Sequence, residues 1–346
     1  MSPDRFHAIT SRYRSLRLAV VGDFCLDRYL EIDPGKREVS LETGLPVHNV
    51  LKVRGQPGGA GTVLNNLAAL GIGKIFAVGF CGEDAEGYEL RQALSKLPGV
   101  SLQQFFATGQ RRTFTYCKPL MLRRGQAPRE LNRLDFKNWT PTPAALGRKL
   151  ACAVREVVSK VDAIIVLEQT DLPGTGVVTG DVLRTLRRVA RGRAKRIILA
   201  DSRRGLRDFP PLAFKMNAAE LAGHVGSKRR LSLAQIKIVA GALAEKNCQP
   251  VFVTLAERGL VGAAPDGKIE HVAALPVRGK IDIVGAGDAV SANLAAALAA
   301  GARMREALEI ANAAASVVIH KLGTTGKASV AEVKEALSRG TTNEHE

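Results

Sequence analysis

The sequence predicts an α/β protein with a central, mostly parallel sheet and helices on both faces. Three observations carry this. Short apolar runs alternate with stretches of helical period, the composition can fill a large core, and two early segments break the alternation. Of the 346 residues, 46% are hydrophobic and 24% charged, and the 34 glycines and 15 prolines are dispersed. That composition excludes fibrous and wholly disordered chains.

In chain order, residues 1–16 are a polar, basic N-terminal extension, and the first strand is the apolar run 18–22. Residues 31–56 are rich in Val, Leu, Thr and Arg without helical spacing, as expected of β-structure folded over a sheet edge. Helical period returns at 62–70, a second strand follows at 74–79, and a helix at 88–97. Segment 111–134 repeats the non-helical character, and together with 31–56 it reads as a small β lid. From there helices at 143–160, 177–191, 233–246 and 289–300 alternate with apolar runs at 163–167, 196–200 and 250–255, giving βαβ units. Ligands of such a sheet bind at the carboxyl ends of its strands. The domain is expected over 17–338, with 339–346 as a disordered tail.

Lys and Arg number 50 against 33 Asp and Glu, a formal charge of +17. Such an excess suits nucleic acid, an acidic membrane, an anionic small molecule, or a merely solvated surface. Aromatics are only 5% and the basic residues are scattered, which excludes a nucleic-acid groove as the favoured reading. The Ala-rich stretch 289–302, interrupted by Asn293, is too short for a bilayer core of about 30 Å, and 18–22 is too short for a signal-peptide core. Five cysteines without a C-x-x-C pair point to a reducing, cytoplasmic setting.

The most informative stretch is Asp282-Ile283-Val284-Gly285-Ala286-Gly287-Asp288, which opens onto a small-residue helix. The first amides of a helix lack intrahelical partners and sit at the positive end of its dipole, so such a turn is an anion hole. Asp288 stands where a hydroxyl could lose its proton to it. A Gly-rich turn with an ordinary capping Asp explains the same residues, and the spacing alone leaves both readings open.

This stretch resembles the C-terminal signature of the ribokinase-like, or PfkB, carbohydrate kinases. The run from Pro57-Gly58-Gly59-Ala60-Gly61-Thr62 to Gly71, followed by Val78-Gly79 and Gly82-Glu83-Asp84, resembles that family's first signature. The likeness runs from about Arg17 to Leu337. It is greatest to the kinases of D-glycero-D-manno-heptose 7-phosphate, in Val20–Tyr29, Arg133-Leu134-Asp135-Phe136, Ala311–Ala315 and Lys321–Thr324. No nucleotidyltransferase sequence follows, so a stand-alone kinase is the expectation.

The resemblance implies a three-layer ribokinase-like fold with a β lid, and transfer of the ATP γ-phosphoryl to a sugar or sugar-phosphate hydroxyl. Asp288 would be the base, and the amides of Gly285, Ala286 and Gly287 would stabilise the moving charge. Asn217 and Glu220 match the N-x-x-E element that organises hydrated Mg²⁺, and Asp282 matches the monovalent-cation loop, for K⁺. Thr254, Glu257, Gly259 and Asn312, with Asn217, would line the ATP site. Asp27, Gly58, Gly59, Thr62 and Arg133 would meet the acceptor, and a homodimer through the lid is implied.

The bland alternatives are a helix-start cap at Asn217, a surface Glu220, and turn residues at Asp27, Gly259 and Asp282. The sequence also departs from the pattern. Thr62 stands where Asn is common, Glu168–Gly174 lacks the Lys of the heptose kinases, and Asp201-Ser202-Arg203-Arg204 replaces Asp-Pro-Lys. Six arginines of the lid region, Arg111, Arg112, Arg123, Arg124, Arg129 and Arg133, suit a phosphate already on the acceptor. Ribokinase-, fructokinase- or nucleoside-kinase-like activity and a non-catalytic binder of the same fold are the competing expectations.

Overall fold

The computed structural model describes residues 1–123, 125, 126, 128–192, 196–323 and 325–342. Arg124, Thr324 and residues 343–346 of the expected tail lie outside the described residues.

The chain begins with α1 (Pro3–Thr10), β1 (Arg17–Gly22), β2 (Phe24–Val39), β3 (Pro46–Gly59), α2 (Ala60–Ala69), β4 (Lys74–Gly82) and α3 (Ala85–Ser95). It continues through β5 (Val100–Thr108), β6 (Phe114–Met121), β7 (Arg129–Glu130), β8 (Leu134–Phe136), α4 (Ala144–Val158), β9 (Ala163–Glu168), α5 (Gly180–Ala190), β10 (Ile197–Ser202) and β11 (Ala213–Asn217). The last part holds α6 (Ala218–His224), α7 (Leu233–Asn247), β12 (Val251–Thr254), β13 (Leu260–Ala263), β14 (Ile269–Val272), α8 (Ala286–Ala299), α9 (Met304–Ile319) and α10 (Val330–Thr342).

Nine strands form one sheet in the order β14-β13-β12-β11-β10-β9-β1-β4-β5. All neighbours from β12 to β5 are parallel, and β13 alone is reversed, pairing antiparallel with both β12 and β14. The central strands read as continuous apolar runs because both faces are covered. Alternation divides β1: Leu18 and Val20 join a core with α2, α8 and α9, while Ala19 and Val21 join a second core with α4, α5 and α7.

The lid is a second sheet, β3-β2-β6-β7 with β8 on β6, and it begins at Phe24, one residue past β1. Its long hairpin pairs Asp27 with Gln56 and Cys25 with Gly58, so the lid's base is tied to the sheet's central strand. Two expectations about the termini are revised. The N-terminal extension holds α1, which docks through buried Phe6 and Ile9 while Arg5 reaches Glu306 on α9. Residues 339–342, expected in the disordered tail, continue α10, because Val330, Val333, Ala336 and Leu337 form one apolar stripe on the first core.

Candidate active site

The Gly-rich turn at 282–288 forms where the sequence placed it, leading into α8. Gly285 has φ 82°, open to glycine at no steric cost, and a Cβ there would lie 2.7 Å from Thr325 Cγ2. α8 starts at Ala286, so Asp288 occupies its first turn. The Ala286 amide, expected to face the ligand, instead donates to Ile283 O at 3.2 Å. Gly287 and Asp288 present the first-turn amides left for an anion, and Gly287 lines the adjoining cleft.

Asp288 is half-buried, next to Gly287, which lines the cleft. Burial, reinforced by the nearby Asp201 and opposed by Lys215, pushes its pKa up to about 7. Lys215 and Asp201 are themselves buried and joined at 2.8 Å, and the Ser291 hydroxyl donates to the same Asp201 oxygen at 3.1 Å. A Cβ on Gly287 would meet Lys215 Nζ at 3.0 Å, so the ammonium lies directly against the turn. Lys215 holds its proton firmly: Asp201, Glu220 and Asp288 favour the charged form against the cost of burial.

Beside the turn opens a cleft of about 750 Å³, lined by Asn217, Thr254, Glu257, Gly259, Gly287 and Asn312 together with apolar Leu275, Val277, Ile281, Ile283, Ala315 and Ile319. Thr254 ends β12 opposite Asn217 on β11, which puts both at the carboxyl edge of the sheet. Gly259 has φ 87°, and a Cβ there would run into Val272 O at 2.0 Å. Asn312 is oriented by its amide, which donates to Ala273 O at 2.8 Å. Asn217 and Glu220 form a full capping box on α6: Asn217 Oδ1 accepts from the Ala219 and Glu220 amides, and Glu220 Oε2 accepts from Asn217 N. The structural reading of these two residues therefore holds. Among the described residues it leaves the side-chain nitrogen Nδ2 of Asn217, on the cleft, and Glu220 Oε1 without hydrogen-bond partners.

Asp282 acts as a clamp, its two oxygens accepting from Val284 N at 3.0 Å and Gly323 N at 3.2 Å. It thereby pins the turn to the end of α9.

On the other side of the turn, a second wall carries Asp27, buried at the base of β2. Asp27 pairs with Lys118 on β6 at 3.3 Å and accepts from Thr325 Oγ1 at 3.3 Å. Tyr29 and Gln56 complete the network: Lys118 and Gln56 donate to the Tyr29 hydroxyl, and Gln56 also donates to Thr325 Oγ1 at 2.7 Å. Gly58 lies so close that a Cβ would stand 2.7 Å from Cys25 Sγ and 2.9 Å from Asp27 Oδ2. Gly59, with φ 57°, starts α2, and Thr62 is buried in its first turn, near the backbone of Gly285. The two walls meet at Asp288, whose carboxyl feels the charge of Asp27.

Arg133 does not join this wall. Its guanidinium pairs with Asp135 at 2.7 Å and lies 5.0 Å above the Tyr116 ring. The expectation of a converging lid-arginine cluster fails for the same reason. Arg111 is buried on Thr140, Arg112 covers Phe136 at 5.6 Å, and Arg123 and Arg129 belong to the far end of β6 and β7. The cations at the junction are Lys215 and Lys118, which sequence reasoning missed. A Lys inside the strand Ala213-Phe214-Lys215-Met216 was the available signal.

The departures at 168 and 201–204 are partners of one another. Buried Glu168 accepts from Arg204 at 2.7 Å and from Ser202 Oγ at 2.6 Å. Arg203 makes no ion pair among the described residues. Its charge acts on Tyr116 and Asp171 to one side and on Glu220 and Asp288 to the other. Asp23, also unforeseen, accepts from the amides of Gln169, Thr170 and Val177 and so shapes the loop after β9.

All five cysteines are free thiols. Among the described residues no helix is long and apolar enough to cross a membrane.

Comparison with known proteins agrees with this geometry. The model of the pfkB family carbohydrate kinases matches residues 17–330. A protein named Bifunctional protein HldE from Bradyrhizobium sp. (strain ORS 278) is 31% identical over 89% of this chain and 61% of its own length. A protein of the same name from Pseudomonas savastanoi pv. phaseolicola is 33% identical over 95% of this chain and 65% of its own. The chain thus spans about three fifths of the length of these curated relatives. Among solved structures, Arabidopsis thaliana ribokinase complexed with ribose and ATP superposes with a TM-score of 0.68 at 21% identity, covering 93% of this chain and 98% of that one. Escherichia coli phosphofructokinase-2 in complex with fructose-6-phosphate gives 0.67 at 18%, covering 94% and 99%. These likenesses establish the ribokinase-like fold. With the family model spanning both signatures and the whole sheet, the chain belongs to the pfkB family of carbohydrate kinases.

Proposed function

We propose that this kinase transfers the γ-phosphoryl of ATP to a hydroxyl of a sugar phosphate, D-glycero-D-manno-heptose 7-phosphate. The observation that carries the reading is the position of Asp288, a carboxyl with its pKa raised to about 7, between a nucleotide-sized cleft and the Asp27 wall. A base needs a pKa near the working pH to be both ionised and able to take a proton.

Asn312 and the apolar residues of the cleft would hold the adenine, with Thr254 and Gly259 beside the ribose. The amides of Gly287 and Asp288, with Lys215 Nζ, would receive the charge of the transferred phosphoryl. The transfer is largely a matter of positioning and charge stabilisation. Asp288 would take the proton of the attacking hydroxyl, while Asp27 and the backbone at Gly58 and Gly59 orient the sugar. Glu220 Oε1 and Asn217 fit a hydrated Mg²⁺, because burial raises the Glu220 pKa and a cation offsets that cost. Bound there, Mg²⁺ would neutralise charge on the phosphates. K⁺ at the Asp282 loop belongs to the same proposal, as does a cytoplasmic setting.

The phosphate on the acceptor is supported by Lys118, beside Asp27, and by Arg203 and Arg133, whose charges both act on Asp171. The resemblance to the heptose 7-phosphate kinases narrows the sugar. A coupled ADP-release screen over sugars and sugar phosphates, with Asp288→Asn as the blank, tests this. Heptose 7-phosphate is expected to give the highest kcat/KM; free sugars used as well as any sugar phosphate would overturn the acceptor assignment.

A further inference from the structure

The mouth of the nucleotide cleft carries charge that the reaction scheme does not use. The loop between α6 and α7 contributes Lys228, Arg229 and Arg230 to the cleft lining, all exposed. A 3-10 turn at Ala256–Arg258 adds Arg258 to the lining, beside one acid, Glu257. None of these four cations forms a salt bridge among the described residues. Some arginines elsewhere are engaged, Arg28 with Glu86 and Glu89, Arg54 with Glu31, Arg305 with Glu270 and Glu309. The exposed Arg187, Arg188 and Arg191 are unpaired among the described residues like the rim, so it is the rim's place on the cleft that sets it apart. The loop is locally ordered, since Ser227 Oγ donates to Arg229 O and accepts from Arg229 N, and Ser232 caps α7 immediately after it.

We infer that Lys228, Arg229 and Arg230 form a capture surface for the polyphosphate of the incoming nucleotide, raising its rate of association rather than holding it once bound. This rests on the nucleotide reading of the cleft given above. A cleft edged by one sign of charge between low-dielectric walls focuses the field and raises the on-rate of an opposite charge, by about 10- to 1,000-fold in known cases. Long, exposed, unpaired side chains suit steering. Firm recognition would instead call for buried, bidentate contacts. The phosphates' resting place is the α8 turn with Lys215, deeper in the same cleft, and this division of labour gives part of the +17 charge a use.

The test is stopped-flow association of a fluorescent N-methylanthraniloyl-ATP with the wild type, with Lys228→Ser/Arg229→Ser/Arg230→Ser, and with Arg187→Ser/Arg188→Ser/Arg191→Ser. The last removes equal charge from the exposed face of α5, outside the cleft. At about 0.01 M salt, where fields reach about 30 Å, the rim variant is expected to associate on the order of tenfold more slowly than the wild type. At about 1 M salt the two should converge, with dissociation unchanged throughout and the α5 variant behaving as wild type. Three results overturn the inference: an unchanged association rate in the rim variant, a faster dissociation in its place, or an equal loss in the α5 variant. Failure of the wild type to bind the probe would overturn the nucleotide reading of the cleft and the inference with it; binding with unaltered kinetics in the rim variant would overturn the inference alone.

Discussion

At the scale of single residues, chemistry concentrates on the grouping of Asp288, Lys215, Asp201 and Ser291. Asp288 is held at a pKa of about 7 by burial and by Asp201, so kcat/KM is expected to rise through about pH 7 as the base ionises. A profile already flat from pH 5 would show that another group takes the proton. Lys215 works through charge against the α8 turn. Lys215→Met should lower kcat on the order of a hundredfold, the usual cost of one preorganised donor. It should also destabilise the fold by roughly 3 kcal/mol, because Asp201 would be left buried and unpaired. Lys215→Met/Asp201→Asn removes both charges and is expected to recover thermal stability without recovering kcat. Recovery of both in the double variant would make the pair purely structural.

At the scale of elements, legibility followed burial. The strands β1, β4, β9, β10 and β12 were readable because both of their faces are covered and their sequences are unbroken apolar runs. The lid was readable from its lack of helical period, though its boundary was not, because β2 continues from β1 with only Asp23 between. The phosphate turn was legible from Gly285 and Gly287, while Lys118 and Lys215 look like breaks in strand patterns until the opposing Asp27 and Asp201 are known. α1 was hidden because its 8 residues carry only two core side chains, Phe6 and Ile9. Much of its anchoring is polar, through Glu306, which takes Arg5 at 3.0 Å and Arg303 at 2.7 Å.

Those partners draw the Glu306 pKa down to about 2, below the ordinary 4.5 of a glutamate. The stabilisation is therefore complete above about pH 4.5 and is lost as pH falls through about 2. Glu306→Gln should lower the melting temperature at pH 7, and the difference from wild type should shrink between pH 4.5 and 2. A constant difference across that range would assign the loss to packing instead.

At the scale of the whole molecule, the parallel sheet sets its strand ends, and with them Asn217, Thr254 and Arg203, against the α8 turn, while the lid brings Asp27 and Lys118 across from them. The +17 excess lies in basic residues left over from the ion pairs, among them Lys228, Arg229 and Arg230 at the cleft rim and Arg187, Arg188 and Arg191 at the far end of α5. The lid also exposes Val39, Leu41 and Leu45 at its outer end, and a homodimer through the lid is expected on that ground and from the family resemblance. Sedimentation equilibrium giving a monomer at all working concentrations would count against it.

Phosphoryl transfer onto a sugar phosphate, with Asp288 as base, is the event the proposed function turns on. Phosphorus NMR of the protein with ATP, Mg²⁺ and heptose 7-phosphate reads that event directly. The account requires a new sugar phosphate ester resonance growing in step with ADP, the original 7-phosphate retained, and neither product with Asp288→Asn. ADP accompanied by inorganic phosphate without a new ester, or ester formation undiminished in Asp288→Asn, would contradict it.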